Sequence, residues 1–177
     1  RLAALTCGSI GWGLIGRATA RKLCAFGCRL LAYDPHLAGE SAGVPCVDLN
    51  TLLAQSDIVI LHLPLTDETH HLIDRNRLAL MRRGGLLINV SRGGVVDTDA
   101  VVEALNNGKL SAVGLDVLES EPNVPGVLRA HPAAMLTPHI AFTSDVALAE
   151  LRKRGAEEVV RVLRGEPPQQ PRNSPKF

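Results

Sequence analysis

The chain has 177 residues, 46% of them apolar and 21% charged, which suits one domain of ordinary size with a sizeable core. Its 19 Lys and Arg nearly balance 18 Asp and Glu, and a formal charge of +1 argues against a broad basic face for nucleic acid. Apolar stretches stop well short of the ~20 residues that span a bilayer, and no export signal is legible, so a membrane partner is not expected.

In chain order, residues 2–10 contain a first strand ending at Ile10, and Gly11, Gly13 and Gly16 follow in G-x-G-x-x-G spacing. A helix is predicted over 14–26, with Ile15, Ala18, Leu23 and Phe26 on its inner face and Gly27 at its end. A second strand over 30–33 stops at Asp34. Strand, tight turn, helix, strand and acid is the order of a dinucleotide-binding unit. Gly11 permits the sharp turn, Gly13 places no Cβ between backbone and pyrophosphate, and Gly16 lets helix and strand approach. The unpaired N–H groups of the helix start then face the phosphates. Asp34 lies 18 residues beyond Gly16, where a carboxylate accepts from a ribose diol and repels a 2′-phosphate. The expected cofactor is therefore NAD rather than NADP.

A loop opens at Asp34-Pro35 and runs through Gly39 and Gly43 to a short third strand over 44–47. A helix over 49–54 precedes a strongly β-prone strand over 57–61, followed by His62, Leu63 and Pro64. A polar loop over 66–69 leads to a helix over 73–81, with Arg82 and Arg83 placed in its last turn, facing solvent. After Gly84-Gly85 comes a fifth strand over 86–90, then a helix opened by Asp97 with Ala100, Val101, Ala104 and Leu105 facing inward. A sixth strand over 112–115 ends at Asp116, a Pro-interrupted loop covers 119–132, and a short seventh strand over 135–137 precedes Pro138-His139. The longest helix is predicted over 145–163, anchored by Leu148, Leu151, Val159 and Val162.

Strands alternating with helices imply an α/β fold of Rossmann type: a doubly wound, mostly parallel sheet with helices on both faces. The expected domain is 1–165, and 166–177, with four prolines, reads as a tail. A start at Arg1, almost directly on the first strand, is the pattern expected of a piece of a longer polypeptide. Cys7, Cys24, Cys28 and Cys46 lie on apolar segments without a second ligand pair. They read as small buried hydrophobes, reduced in a cytosolic compartment, and no metal is expected.

Such a sheet gathers ligands at the C-terminal ends of its strands. The polar residues just past those ends are Asp34, His62, Arg92, Asp116, Glu121 and His139. Arg92, Glu121 and His139 suit hydride transfer to a 2-oxo acid. The guanidinium binds the substrate carboxylate and polarises the carbonyl, the imidazole exchanges the proton, and the carboxylate orients the imidazole. Each also has a structural reading: Arg92 pins its Gly-rich loop, Glu121 is a loop acid before Pro122, and His139 caps a helix. No residue set singles out His62, His70, His71 or His131 for catalysis.

Five ordered blocks carry a resemblance: GWGLIG at 11–16, HLPLT at 62–66, NVSRGGVVD at 89–97, GLDVLESEP at 114–122 and TPHI at 137–140. Over about residues 5–165 the chain resembles the NAD-binding domain of the D-isomer-specific 2-hydroxyacid dehydrogenases. The resemblance implies Arg92, Glu121 and His139 as the catalytic set. It implies a cofactor site of Gly11, Gly13, Leu14, Ile15, Gly16, Asp34, His62, Leu63, Pro64, Ser91, Arg92, Asp116 and His139. Asp116 then lies near the nicotinamide carboxamide, and the implied substrates are small 2-oxo acids such as glyoxylate, hydroxypyruvate or pyruvate.

The family's second domain, which closes over substrate, is not legible here, so the resemblance implies NAD binding with little turnover by this piece alone. Association as a homodimer through the cofactor domain is implied too. Three positions depart from the pattern: Leu14 replaces a polar or basic side chain, Trp12 is bulky inside the turn, and Leu118 replaces an aromatic. His70-His71-Leu72-Ile73 and Glu119-Ser120-Glu121-Pro122 are similar to the C-terminal-binding-protein corepressors, which gives an NAD-sensing alternative. A truncated product without activity is a third reading.

Overall fold

The computed structural model describes residues 1–169 and Pro171, so most of the expected tail lies outside the described residues. Two compact units emerge, residues 1–139 and a second that begins at Ile140, so the long helix belongs to the second unit.

The first unit contains β1 (Thr6–Ile10), α1 (Leu14–Ala25), β2 (Arg29–Tyr33), β3 (Gly39–Ser41), β4 (Val44–Cys46), α2 (Leu49–Gln55), β5 (Ile58–Leu61), α3 (Arg75–Leu80), β6 (Gly85–Asn89), α4 (Thr98–Asn106), β7 (Leu110–Leu115), α5 (Gly126–Ala130) and β8 (Ala134–Leu136). The sheet order is β3-β4-β2-β1-β5-β6-β7-β8, parallel except for the β3–β4 hairpin. From β1 the chain winds outward through β2, then returns to lay β5 against the other side of β1. The strand order reverses there, and a crevice opens at the C-terminal ends of β1 and β5. Every residue of both strands is buried, as expected of central parallel strands covered on two faces. The main core gathers Ile10, Leu52, Val59, Leu61, Leu78, Leu87, Val101 and Val113 beneath the helices.

Several elements differ from expectation. The inner face of α1 buries Gly16 and Ala20 and packs the expected Leu23 against Cys7 and Cys28, whereas Ile15 and Phe26 are 67% and 63% exposed. A Cβ on Gly16 would overlap the Gly11 carbonyl, so small residues are what let this helix lie against its strand. The stretch expected as loop before the third strand folds into the extra strand β3, because Ala42 and Gly43 both turn with positive φ (55° and 77°) and close a tight hairpin. Ile73 lies outside α3: it bridges to Val96, and Asp74 caps the helix by accepting from the Arg77 amide. Arg82 and Arg83 lie beyond that helix, where Arg82 pairs with Asp57 at 2.8 Å and Arg83 donates to the Asn107 carbonyl. The Pro-interrupted loop contains α5, held by the fully buried Leu128. Cys7 and Cys28 are buried as expected, but Cys24 is exposed.

The second unit is built on α6 (Asp145–Leu163), capped by the Ser144 hydroxyl, which accepts from the Ala147 amide. None of its residues is buried, and the expected anchors Leu151 and Val159 are 62% and 60% exposed. Among the described residues of this unit, little other structure is present to cover them. Among the described residues no helix is long and apolar enough to cross a membrane.

Candidate functional site

The crevice is shaped first by glycine. Gly11 turns with φ +93°, and a Cβ there would come within 2.6 Å of the His62 carbonyl oxygen across the β1/β5 rim. Protein packing therefore requires glycine at 11 and at 16. At Gly13 it does not, since no protein atom lies within 4 Å of an added Cβ. Gly13 is the N-cap of α1 and offers no side-chain cap, so unsatisfied helix N–H groups face that open space. This is the cradle a pyrophosphate requires, and the residues present fit a bound dinucleotide. Leu14 and Ile15, at the helix start, are 72% and 67% exposed. Trp12 does not crowd the turn, because its side chain is buried against Ala20, Ala32 and Val44.

Asp34, at the end of β2, stands on the same turn: one carboxylate oxygen accepts from the Trp12 amide at 3.1 Å and the other from the His36 amide at 3.1 Å. His62 follows β5, and burial holds its imidazole below the ordinary histidine value. Its Nε2 is buried with no hydrogen-bond partner among the described residues. Leu63 and Pro64 continue along the rim, and the Pro64 carbonyl accepts from Thr69 Oγ1 at 2.7 Å.

Past β6, the buried Asn89 organises the next loop. Its Oδ1 accepts from both the amide and the hydroxyl of Ser91, and its Nδ2 donates to the Arg92 carbonyl at 2.9 Å. Arg92 is exposed, with Nη1 donating to the Ser91 carbonyl at 2.7 Å. Past β7, Asp116 is 6% exposed; its amide donates to the Asn89 carbonyl and its carboxylate accepts from Thr137 Oγ1 at 2.5 Å. The Asp116 carbonyl in turn accepts from the His139 amide at 2.9 Å.

The loop beyond Asp116 brings Glu121 to His139. Glu121 Oε2 meets His139 Nδ1 at 2.9 Å, and Oε1 accepts from the Leu118 amide at 2.9 Å. The bond to His139 first, then the Leu118 amide, holds the Glu121 carboxyl below the usual carboxylate value. His139 itself sits at φ +54°, an uncommon conformation for a residue with a Cβ and one that accumulates at functional sites. Glu121-Pro122 is a cis peptide.

The structure thus joins Glu121 directly to His139, and Asp116 to both Asn89 and His139 through backbone. It links Arg92 to this group through its loop rather than its guanidinium. His131 is set apart, accepting from the Ala133 amide at the end of α5. A cavity of about 770 Å³ lies between α1 and the β2–β4 edge and contains none of Arg92, Glu121 or His139. Sequence reasoning missed Asn89 as the frame of the Arg92 loop, and it missed a second histidine–carboxylate pair. His71 Nε2 and Glu119 Oε1 are 2.5 Å apart. The two blocks holding this pair were legible, but residues 48 apart give no local signal that they touch.

Residues 1–141 match the family described as "D-isomer specific 2-hydroxyacid dehydrogenase, NAD binding domain". The chain is 42% identical over 168 residues to a glyoxylate reductase of Thermofilum pendens, covering 92% of this chain and 50% of that protein. It is 39% identical over 158 residues to a hydroxypyruvate reductase of Thermotoga maritima, covering 88% and 50%. The NAD-complexed D-isomer specific 2-hydroxyacid dehydrogenase of Lactobacillus delbrueckii superimposes with a TM-score of 0.87 at 30% identity, over 96% of this chain and 56% of that one. The chain spans half or less of the length of the curated relatives it matches. An open glycine cradle, a family match across the first unit and likeness to an NAD-bound structure lead to one assignment: the chain belongs to the NAD-binding domain family of the D-isomer specific 2-hydroxyacid dehydrogenases.

Proposed function

We propose that this chain provides the NAD-binding half of an oxidoreductase interconverting small 2-hydroxy acids and 2-oxo acids, with Arg92, Glu121 and His139 as its reacting side chains. The observation that carries the reading is the 2.9 Å Glu121–His139 pair, set beyond β7 and β8 on the sheet edge that holds the glycine turn. NAD, when bound, supplies or accepts the hydride. The open space at Gly13 and the N-terminus of α1 would hold the pyrophosphate, and Asp34 would accept from the adenosine ribose and disfavour a 2′-phosphate. Leu14 offers that phosphate no side-chain donor, so the grip rests on backbone N–H groups.

In the reductive direction Arg92 holds the substrate carboxylate by a charge-assisted fork and draws electron density from the ketone. Glu121 engages Nδ1 of His139, so proton donation to the carbonyl oxygen falls to Nε2. The carboxylate stabilises the charged imidazole and fixes its plane. Asp116, buried between Asn89 and His139, would serve the nicotinamide end of the cofactor. Glyoxylate and hydroxypyruvate are the proposed substrates, supported by the relatives' activities. The cofactor grip is assigned to this chain and turnover to the complete polypeptide, which associates as a dimer through this domain.

The test is a panel of 2-oxo acids with NADH and NADPH on the complete polypeptide. Arg92→Ala and His139→Ala are expected to lower kcat/KM by about 100-fold or more while NADH affinity stays within a few-fold. Equal loss of NADH binding in both variants would contradict their roles. NADH binding without turnover of any 2-oxo acid would favour the sensing alternative.

A further inference from the structure

Outside the reacting set, one cluster of titratable groups ties together the loops that carry it. Glu119 is two residues before Glu121 and uses both carboxylate oxygens. Oε1 meets His71 Nε2 at 2.5 Å, and Oε2 accepts from the Thr98 amide, the first residue of α4, at 2.8 Å. His71 is itself bound to the Arg92 loop, its amide donating to the Gly94 carbonyl at 2.8 Å. A Cβ on Gly93 would overlap the carbonyl of Leu118, so the Arg92 loop lies directly on the backbone that leads into Glu119. Leu118 in turn donates its amide to Glu121. The three loops after β5, β6 and β7 therefore converge on one carboxylate.

Resting on the function proposed above, we infer that Glu119 is a positioning residue: through His71 and the start of α4 it fixes the loop that carries Glu121, and so aims His139. Two features favour this over a simple helix cap. First, α4 already has its cap, since the Asp97 side chain accepts from the Ala100 amide at 3.0 Å. Second, His71 holds the left-handed conformation, φ +48°, which costs energy in a residue with a Cβ and persists only where surrounding contacts fix it. The His70 ring stacks on it with centroids 4.1 Å apart, which limits its rotation. Burial raises the Glu119 carboxyl, but the bonds from Thr98 and His71 outweigh it and hold the group below its ordinary value. His71 and Glu119 line a cavity of about 330 Å³ together with the acids Asp97 and Asp99.

The experiment follows the carboxyl carbon of Glu121 by NMR against pH in the 177-residue chain. In Glu119→Ala the loop loses both bonds of its anchor, and the Glu121 midpoint is expected to rise by about half a pH unit or more, as the bonds from His139 and Leu118 loosen. In His71→Gln, which keeps an N–H donor at matching reach, the wild-type midpoint is expected to persist. A purely structural role lowers the melting temperature but leaves the midpoint in place, and an unmoved midpoint in folded Glu119→Ala overturns the proposal. If that variant does not fold, His71→Asn, which tolerates the left-handed backbone but falls short of Glu119, is titrated instead. Failure of both to fold makes the pair a stability element and overturns the positioning role. The titration needs neither NADH nor a 2-oxo acid, so its failure is distinct from failure of the catalytic reading.

Discussion

Glu121 accepts hydrogen bonds on both oxygens, and its titration therefore couples to folding. Its carboxyl lies below the ordinary 4.5 in the folded chain, so the ionised group stabilises the fold fully above that pH. The contribution is lost as the pH falls through the folded value. Both side chains of the pair are more than a third exposed (43% and 38%), so water screens the effect and it is small. Urea midpoints of wild type and Glu121→Gln should differ at neutral pH and converge as the pH drops below 4.5; a gap that stays constant would contradict this. Two glycines give a second comparison. Gly11→Ala forces a Cβ into φ +93° and against the His62 carbonyl, and should cost about 1–3 kcal/mol in urea denaturation. Gly13→Ala meets no protein atom, so it should leave stability nearly unchanged while weakening NADH binding in a fluorescence titration.

At the scale of elements, the packing of β5 is decisive. Leu61 has no exposed surface and ends the strand next to the rim, so Leu61→Ala should cost about 2–5 kcal/mol, measured by chemical denaturation. Legibility varies with what each element buries. The inner face of α4 was legible because Ala100, Val101, Ala104 and Leu105 repeat at helical spacing and all four are buried. The inner face of α1 was legible only in part: Leu23 packs on the core as expected, but the closest contacts use Gly16 and Ala20 while Ile15 and Phe26 sit at its exposed ends. Counting hydrophobicity ranks such a face backwards. Strand β3 carries Gly39, Glu40 and Ser41, with no β-branched or aromatic residue, and its pairing comes from the hairpin turn. Helix α5 has five residues flanked by Pro125 and Pro132, and only the fully buried Leu128 holds it inward.

For the whole molecule, topology does what no local pattern does. Parallel winding carries residues as distant in sequence as Gly11, Asp34, His62, Arg92, Asp116 and His139 to one edge of the sheet. That much was legible, because an α/β alternation fixes which strand ends share an edge. The Glu121–His139 contact was expected from the chemistry each needs of the other, and the structure supplies its distance. The ties that hold the loops in place, Asn89 to Ser91 and Arg92 and Glu119 to His71, were not legible because they depend on the fine path of irregular backbone. The most direct test of the central claim is a crystal structure of this chain with NADH bound. The account predicts the pyrophosphate over Gly13 and the nicotinamide ring within about 4 Å of the side chains of Arg92 and His139. A dinucleotide lying away from the glycine turn, or a nicotinamide ring with both side chains directed away from it, would contradict it.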